Sequence, residues 1–388
     1  MLAERSGLAP CAFPGAESLP TFVGEVAGLD AVELPAPLHA FDCRNQRLAE
    51  LALLQDHFLA AVARLRERHG AARVGVFLGT STSGLLQTEL AYARRDTTGE
   101  LPQDYLYRGT QNTGSLAAYV RARCGLEGPA HVISTACSSS AKVFASAWRA
   151  MRAGFCDAAL VGGVDTLCRT TLFGFGSLQL LSNDVCRPAD AERRGLSIGE
   201  GGGFALVQWA DAVDDPAHCA RVLGIGESSD AHHMSSPSPD GAGASAAMRG
   251  ALARAGLAGV DYVNLHGTAT PANDLVEDRA LVDVFGQGQA CSSSKGWTGH
   301  TLGAAGIVEA VLGTLCLREG LMPRSLNTRT LDPRLASRVL LASERRPLKH
   351  LLSNSFGFGG SNCSLVLEAA PAWLERSGDG SRDGGRAA

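Results

Sequence analysis

The segment His131-Val-Ile-Ser-Thr-Ala-Cys-Ser-Ser-Ser-Ala-Lys-Val-Phe-Ala-Ser-Ala-Trp-Arg-Ala-Met151 sets a short apolar strand, a turn of small residues and an amphipathic helix in one continuous run. The strand ends at Ser134, and Ala141, Phe144, Ala145, Trp148 and Met151 then recur at the spacing of one helix face. Similar apolar runs lie on either side, at Arg73-Val-Gly-Val-Phe-Leu-Gly79 and Asp157-Ala-Ala-Leu-Val-Gly-Gly163. Between them, Leu51, Leu54, Phe58, Val62 and Leu65 predict one covering helix over Leu48–Arg68. Strands alternating with longer helical stretches give an α/β protein.

A second set of strands is expected at Arg221–Gly226, Asp261–Leu265, Val339–Ala342 and Ser364–Glu368. The chain therefore divides into two α/β halves, residues 1–209 and 210–370. The acidic, proline-broken run Ala210-Asp-Ala-Val-Asp-Asp-Pro-Ala217 joins them. Residues 371–388 are expected to form a disordered surface tail. The pentapeptide Ala136–Ser140 recurs at Ala290–Ser294, which is weak support for duplication.

Composition narrows the function. The 388 residues are 45% hydrophobic and 19% charged, which excludes wholesale disorder. Acidic residues exceed basic ones by 39 to 35, so no basic footprint for nucleic acid exists. Eleven cysteines without a CxxC pair argue against a disulfide framework and a zinc ribbon, and for a reducing cytoplasm. No apolar run is long enough to span a membrane, and the first thirty residues lack an export signal. The run Gly241-Ala-Gly-Ala-Ser-Ala246 satisfies GxGxxA but follows Pro-Ser-Pro-Asp rather than a strand, so a dinucleotide site is discounted.

Cys137 falls near a helix N-terminus, where unpaired N–H groups and the helix dipole favour a thiolate. Cys291 shares the pentapeptide but lacks a following apolar helix face, so its structural role is favoured; packing is the default for the other nine. His266 follows a strand in Leu265-His-Gly-Thr-Ala-Thr-Pro-Ala-Asn-Asp274, with the Thr268 and Thr270 hydroxyls on one side. His300 precedes a small-residue helix start, where a neutral imidazole is favoured. Lys295 and Glu309 could pair behind the histidines, and Asn354–Asn362 reads as a glycine loop with Phe356 and Phe358 as a lid. These residues also fit a packed thiol, structural histidines, a surface ion pair and a core turn with two aromatics.

Taken together, Cys137, His266-Gly-Thr-Ala-Thr-Pro271, Lys295-Gly-Trp-Thr-Gly-His300-Thr-Leu-Gly-Ala-Ala-Gly306 and Asn354-Ser-Phe-Gly-Phe-Gly-Gly360 resemble the β-ketoacyl acyl-carrier-protein synthases, elongating condensing enzymes with a Cys-His-His triad. The resemblance runs from about Arg44 to Glu368, in matching order. It implies the thiolase fold, two related halves in five αβαβα layers, and decarboxylative Claisen condensation of an acyl thioester with malonyl carrier protein. It implies Cys137 as nucleophile, His266 and His300 as hydrogen-bond donors, and Lys295 with Glu309 as their supporting ion pair. Backbone N–H groups of Cys137 and Phe358 would form the oxyanion hole, Phe356 and Phe358 a gate, and Thr268 and Thr270 the pantetheine contacts.

No metal or bound cofactor is implied; phosphopantetheine arrives on the acyl carrier protein. The loop Asp230–Gly241 is also similar to the family's, so His232 and His233 need no metal. Arg121, Arg123, Arg149 and Arg152 are carrier-contact candidates, and Thr82, Phe173, Phe175 and Leu178 are candidate walls of the acyl pocket. The implied assembly is a homodimer, or a heterodimer with a chain-length partner, in fatty acid, polyketide or aryl polyene synthesis. The runs Phe77–Gly84 and Ser134–Ser146 are most similar to the aryl polyene type. Rival readings are a non-catalytic chain-length partner and a cysteine-dependent acyl hydrolase.

Three departures stand out. The usual Arg-Pro-Phe-Asp reads Arg187-Pro-Ala-Asp190, the segment from Leu181 to Arg187 is short, and the chain begins where family members have already completed an N-terminal strand. Truncation, or another segment in that place, are both open, and an exposed sheet edge is expected.

Overall fold

The computed structural model describes residues 3–378 and sets β1 (Leu8–Pro10) antiparallel to β2 (Phe22–Gly24). The expected helix over Leu48–Arg68 is instead two, α1 (Arg44–Leu53) and α2 (Phe58–His69). The apolar period continues across the gap, but Asp56 and His57 have φ of 50° and 58°, left-handed backbone that no α-helix carries. Leu54 is exposed as a result, while Val62 and Leu65 reach the core.

Then follow β3 (Val74–Gly79), α3 (Leu85–Ala93), α4 (Ser115–Cys124), β4 (Ala130–Ile133), α5 (Ser139–Arg152), β5 (Ala158–Asp165), α6 (Arg169–Ser177), β6 (Ile198–Gly199) and β7 (Gly201–Gln208). Every residue of β3 and β5 is buried, as continuous apolar runs require of central parallel strands. Strand β7 escaped the sequence reading because its three leading glycines carry no apolar period. The sheet order is β4-β3-β5-β7, parallel except for the antiparallel β5–β7 pair.

Short 3-10 turns at Ala210–Ala212 and Pro216–His218 lead into the second half. It comprises β8 (Arg221–Ser229), α7 (Ala242–Ala255), β9 (Tyr262–Asn264), α8 (Pro271–Phe285), β10 (Ala290–Ser292), α9 (Lys295–Thr298), α10 (Ala305–Glu319), β11 (Leu321–Met322), β12 (Arg338–Val339), β13 (Glu344–Arg345), β14 (His350–Gly357), β15 (Ser361–Glu368) and α11 (Pro371–Gly378). Its main sheet runs β12-β10-β9-β14-β15-β8. The strand expected to run to Ala342 stops at Val339, and Leu341 is exposed. The expected loop Asn354–Asn362 is a hairpin: β14 continues through Phe356, one turn follows, and β15 begins at Ser361. Only that turn needs glycine, with φ of 79° and 75° at Gly359 and Gly360. The expected tail is also corrected, since Pro371–Gly378 is helical and Trp373 is buried. Residues 379–388 lie outside the described residues.

The order β4-β3-β5-β7 corresponds strand for strand to β10-β9-β14-β15, each with the last pair antiparallel. Leu48, Leu53, Val62, Leu116 and Val120 cover the outer face of the first sheet. Met248, Leu252 and Leu281 cover the outer face of the second. Between the sheets lie α5 and α10, whose Phe144, Ala147, Ile307 and Ala310 join Phe77 and Val161 from one sheet with Cys363 and Leu365 from the other. These are the five layers of a thiolase-like α/β fold. No helix among the described residues is long and apolar enough to cross a membrane.

The central helices touch backbone to backbone: a Cβ on Gly306 would lie 2.4 Å from the Ala141 nitrogen. Gly306→Val should lower stability by about 1–3 kcal/mol through overpacking, read as a reduced urea midpoint at unchanged slope; an unchanged midpoint would show that this contact is loose.

Candidate active site

The nucleophile candidate is held by a strained elbow. Ala136 has φ of 52°, and Ser139 Oγ braces the turn by accepting the Thr135 N–H at 2.9 Å and donating to the Ala136 carbonyl at 2.6 Å. Glycines let the helix start press into the sheet. A Cβ on Gly79 would meet the Ser140 nitrogen at 2.4 Å, and one on Gly163 would meet Ser140 Cβ at 2.6 Å. Cys137 Sγ consequently faces across the interface to His300 Nε2 at 3.0 Å.

The expected thiolate is not what this environment favours. Burial pushes the Cys137 thiol up to about 11, against opposing pulls from the Phe358 N–H, the Lys295 charge and the Cys137 N–H. The helix itself starts only at Ser139, so its dipole acts on a thiol that has lost its water.

His266 lies just past the end of β9. Its N–H and that of Gly267 donate to the Glu277 carboxylate at 2.8 and 2.7 Å, and Asn354 Nδ2 donates to the same group at 3.2 Å. His300 is pinned by its own backbone: its N–H donates to Ser197 O at 2.8 Å and its carbonyl accepts from Gly199 at 2.9 Å. The two rings meet edge to face, centroids 5.3 Å apart. One ligand-type atom from each of Cys137, His266 and His300 lies within 4.8 Å of the other two. Burial, reinforced by Lys295, holds both imidazoles well below their ordinary pKa, so they are neutral. Neutrality of His300 was expected; burial is its main cause.

Lys295 Nζ meets Glu309 Oε1 at 2.6 Å with the two side chains 1% and 3% exposed, which excludes a surface ion pair. Thr268 and Thr270 are buried with hydroxyls 2.9 Å apart. Phe356 lies 6.0 Å from His266, and Phe358 stacks on Phe175 at 5.5 Å.

A family description, beta-ketoacyl synthase N-terminal domain, matches residues 44–212, and the corresponding C-terminal domain matches 219–329. The chain belongs to the beta-ketoacyl synthase family. It is 38% identical over 270 residues to the mitochondrial 3-oxoacyl-acyl-carrier-protein synthase of Arabidopsis thaliana, covering 65% of this chain and 59% of that relative. It is 32% identical over 356 residues to 3-oxoacyl-acyl-carrier-protein synthase 2 of Vibrio cholerae, covering 84% and 86%. Among solved structures, a ketosynthase, ApeO, in complex with its chain length factor, ApeC, from Xenorhabdus doucetiae is 40% identical, with a TM-score of 0.81 over 90% of this chain and 87% of that one. The synthase is thus an acyl-transferring condensing enzyme.

Two carboxylates of the synthase escaped sequence reasoning. Glu277 is pushed up to about 7 by burial, despite the two N–H groups it accepts beneath His266. Asp165 accepts the hydroxyls of Thr80 and Thr82 at 2.7 and 2.6 Å and the N–H groups of Ser81 and Thr82. An acid repeated at Asp274, Glu277 and Asp278, on a helix needing an apolar face, was the available signal for the first.

Other candidates are dispersed. Of the proposed pocket walls, Thr82 is committed to Asp165, Phe173 and Leu178 are exposed, and only Phe175 touches Phe358. Arg121 is exposed, but Arg123 is tied to Glu50, Arg149 to Glu227, and Arg152 lies over Trp148. Cys291 is buried and pushed up to about 12, which supports its structural role. The departure Arg187-Pro-Ala-Asp190 keeps its ends anchored: Arg187 pairs with Asp184 at 3.1 Å, and Asp190 accepts the Arg329 N–H at 2.7 Å.

Two measurements follow from these charges. Because the Cys137 thiol is raised, its thiolate fraction is small at pH 7 and grows with pH, so labelling of Cys137 by iodoacetamide, quantified by peptide mass spectrometry, should climb steadily through pH 8 and 9 toward about 11; a plateau already at pH 7 would contradict the desolvation argument. Lys295→Met should cost about 3–5 kcal/mol by leaving Glu309 buried alone, whereas Lys295→Met with Glu309→Leu should recover most of it, as chemical denaturation would record.

Proposed function

We propose that the synthase loads an acyl group onto Cys137 and joins it to the two-carbon unit released from a malonyl thioester, both brought on the phosphopantetheine arm of an acyl carrier protein. The observation that carries this reading is the buried contact of Cys137 Sγ with His300 Nε2 at 3.0 Å. His266 stands edge-on behind it.

In the first half-reaction the Cys137 sulfur attacks the acyl carbonyl. The carrier's C–S bond breaks, and the thiol proton ends on the departing carrier thiol. In the second, the malonyl carboxylate leaves as carbon dioxide and its bonding pair becomes an enolate. Neutral His266 and His300 donate hydrogen bonds to the enolate oxygen, a role for which desolvated donors are strong. The enolate carbon attacks the acyl carbonyl, and the N–H groups of Cys137 and Phe358 hold the resulting oxyanion. Its collapse breaks the bond to Cys137, whose thiolate takes up one proton from solvent, and frees the ketoacyl product. This chemistry needs neither a metal nor nicotinamide.

Thr268 and Thr270 contact pantetheine, Phe356 and Phe358 gate the acyl channel, and Lys295 with Glu309 fixes the histidines. The intact triad favours a catalytic subunit over a chain-length partner. Two arrangements are proposed, a homodimer or a pair with a chain-length subunit; the 40% identity to ApeO, solved with ApeC, supports the second. The runs quoted above point to aryl polyene synthesis within this class. Eleven free thiols fit a reducing cytoplasm.

Intact-protein mass spectrometry separates the steps. Cys137→Ala should show no acyl adduct, whereas His300→Ala should load normally and lose about 10²–10³ in ketoacyl formation; condensation by Cys137→Ala would end the assignment.

A further inference from the structure

Two ring nitrogens in the active site are left without partners. Nδ1 of His266 and Nδ1 of His300 are buried, and among the described residues neither has a hydrogen-bond partner. An imidazole whose second nitrogen is held by a carboxylate or carbonyl has its tautomer and orientation fixed. Neither ring is fixed in that way, so each is free to present a lone pair to the space it shares with Cys137.

Cys137, His266 and His300 are also the one group among the described residues in which three ligand-bearing side chains of this kind converge. One atom from each lies within 4.8 Å of the other two, and Cys137 Sγ is 3.0 Å from His300 Nε2. A zinc ion bound about 2.3 Å from sulfur and about 2.0–2.1 Å from nitrogen spaces tetrahedral ligand atoms about 3.3–3.6 Å apart, so the sulfur–nitrogen pair opens slightly and no pair closes by more than about 1.5 Å. Thiolate and imidazole select zinc and its neighbours over magnesium and calcium, which take oxygen. The surroundings suit a dication. The charge of Lys295 is answered by Glu309 at 2.6 Å. Asp165 and Glu277, both buried, take their hydrogen bonds from hydroxyl, amide and backbone donors, so entering positive charge meets acids that no base has cancelled.

We infer that Cys137, His266 and His300 form an inhibitory site for a divalent ion of the zinc class, which binds the sulfur that otherwise takes the acyl group. The ion holds Cys137 as thiolate, the thiol proton passes to solvent, and water takes the fourth position. No electron moves, and a chelator reverses the binding. Because no acceptor holds either Nδ1, the site lacks the supporting bonds that raise the affinity of resident metals, and the ion exchanges with solution. An acylated sulfur has no thiolate to offer, so loading and metal binding exclude each other. That consequence rests on the acyl-acceptor reading of Cys137; the site itself rests on the geometry.

The test takes the full chain, reduced and stripped of metal, and titrates it with Co²⁺ and then Zn²⁺. One Co²⁺ per chain is expected, with the intense visible bands of a tetrahedral ion and a thiolate-to-cobalt band in the near ultraviolet, and Zn²⁺ should displace it. At ten times its dissociation constant, Zn²⁺ should slow iodoacetamide labelling of Cys137 about tenfold, with the rate restored by EDTA. Protein already alkylated at Cys137 should show no cobalt band, which keeps the result independent of any variant's folding. His266→Gln should weaken binding about tenfold or more, whereas Cys219→Ser, which removes an exposed thiol, should leave the band unchanged. The inference fails if no tetrahedral spectrum develops, if the alkylated protein keeps it, or if Zn²⁺ binds without slowing the labelling. None of these arms involves an acyl group. Normal acyl loading with no cobalt band overturns the metal site alone, whereas the cobalt band without any loading overturns the role given to Cys137 and leaves the metal site standing.

Discussion

The close approach of two helix starts at the centre of the molecule governs the arrangement around it. Gly79 and Gly163 allow the first turn of α5 to press against β3 and β5, and Gly306 allows α10 to press against α5 in turn. Any Cβ at these positions would enter backbone or a buried serine. With the helices this near, Cys137 from one half and His300 from the other come within hydrogen-bond distance. The strain at Ala136, on the order of 1–3 kcal/mol for a left-handed non-glycine residue, persists because Ser138 and Ser139 tie the turn back onto Thr135 and Ala136.

Closeness also removes water, and that decides protonation. A thiol raised by burial and imidazoles lowered by it both favour neutral forms. The site therefore holds its reactive groups uncharged until a substrate brings charge, which is when aligned N–H groups act most strongly. Lys295 and Glu309 provide the paired charge nearby. Glu277 fixes the His266–Gly267 backbone, and Asp165 organises the Thr80–Thr82 turn next to α10, where a Cβ on Gly303 would lie 2.6 Å from its carboxylate.

Short-range pattern made part of this legible. Strands β3, β4, β5 and β15 and the helix after Cys137 were visible as apolar runs or a helical face, and Cys137, His266 and His300 stood out by their glycine-rich settings together with a family resemblance. What stayed hidden depends on contacts remote in sequence. The break at Asp56 and His57 leaves the apolar period intact, so periodicity ran straight through it. The stretch Asn354–Gly357 looked like loop because its small residues pair across a hairpin whose partner strand starts only at Ser361. The thiol's pKa was misjudged because a helix N-terminus is local whereas burial is supplied by both halves.

The repeated pentapeptide is a useful contrast, since it marks the wrong correspondence. Ala136 lies beyond the end of β4, while Ala290 opens β10, so the two copies are out of phase by the length of the strand. What relates the halves is strand order and direction, and small side chains at both places reflect tight packing beside a central helix. The chemistry then divides the repeat unevenly. The first half places Cys137 at its strand-to-helix turn, and the second places Lys295 and His300 in the equivalent region. Because α5 and α10 cross at Ala141 and Gly306, groups from either half arrive at one place. A duplicated scaffold of this kind yields a single composite cluster, in which Cys137 comes from one half and His266 and His300 from the other.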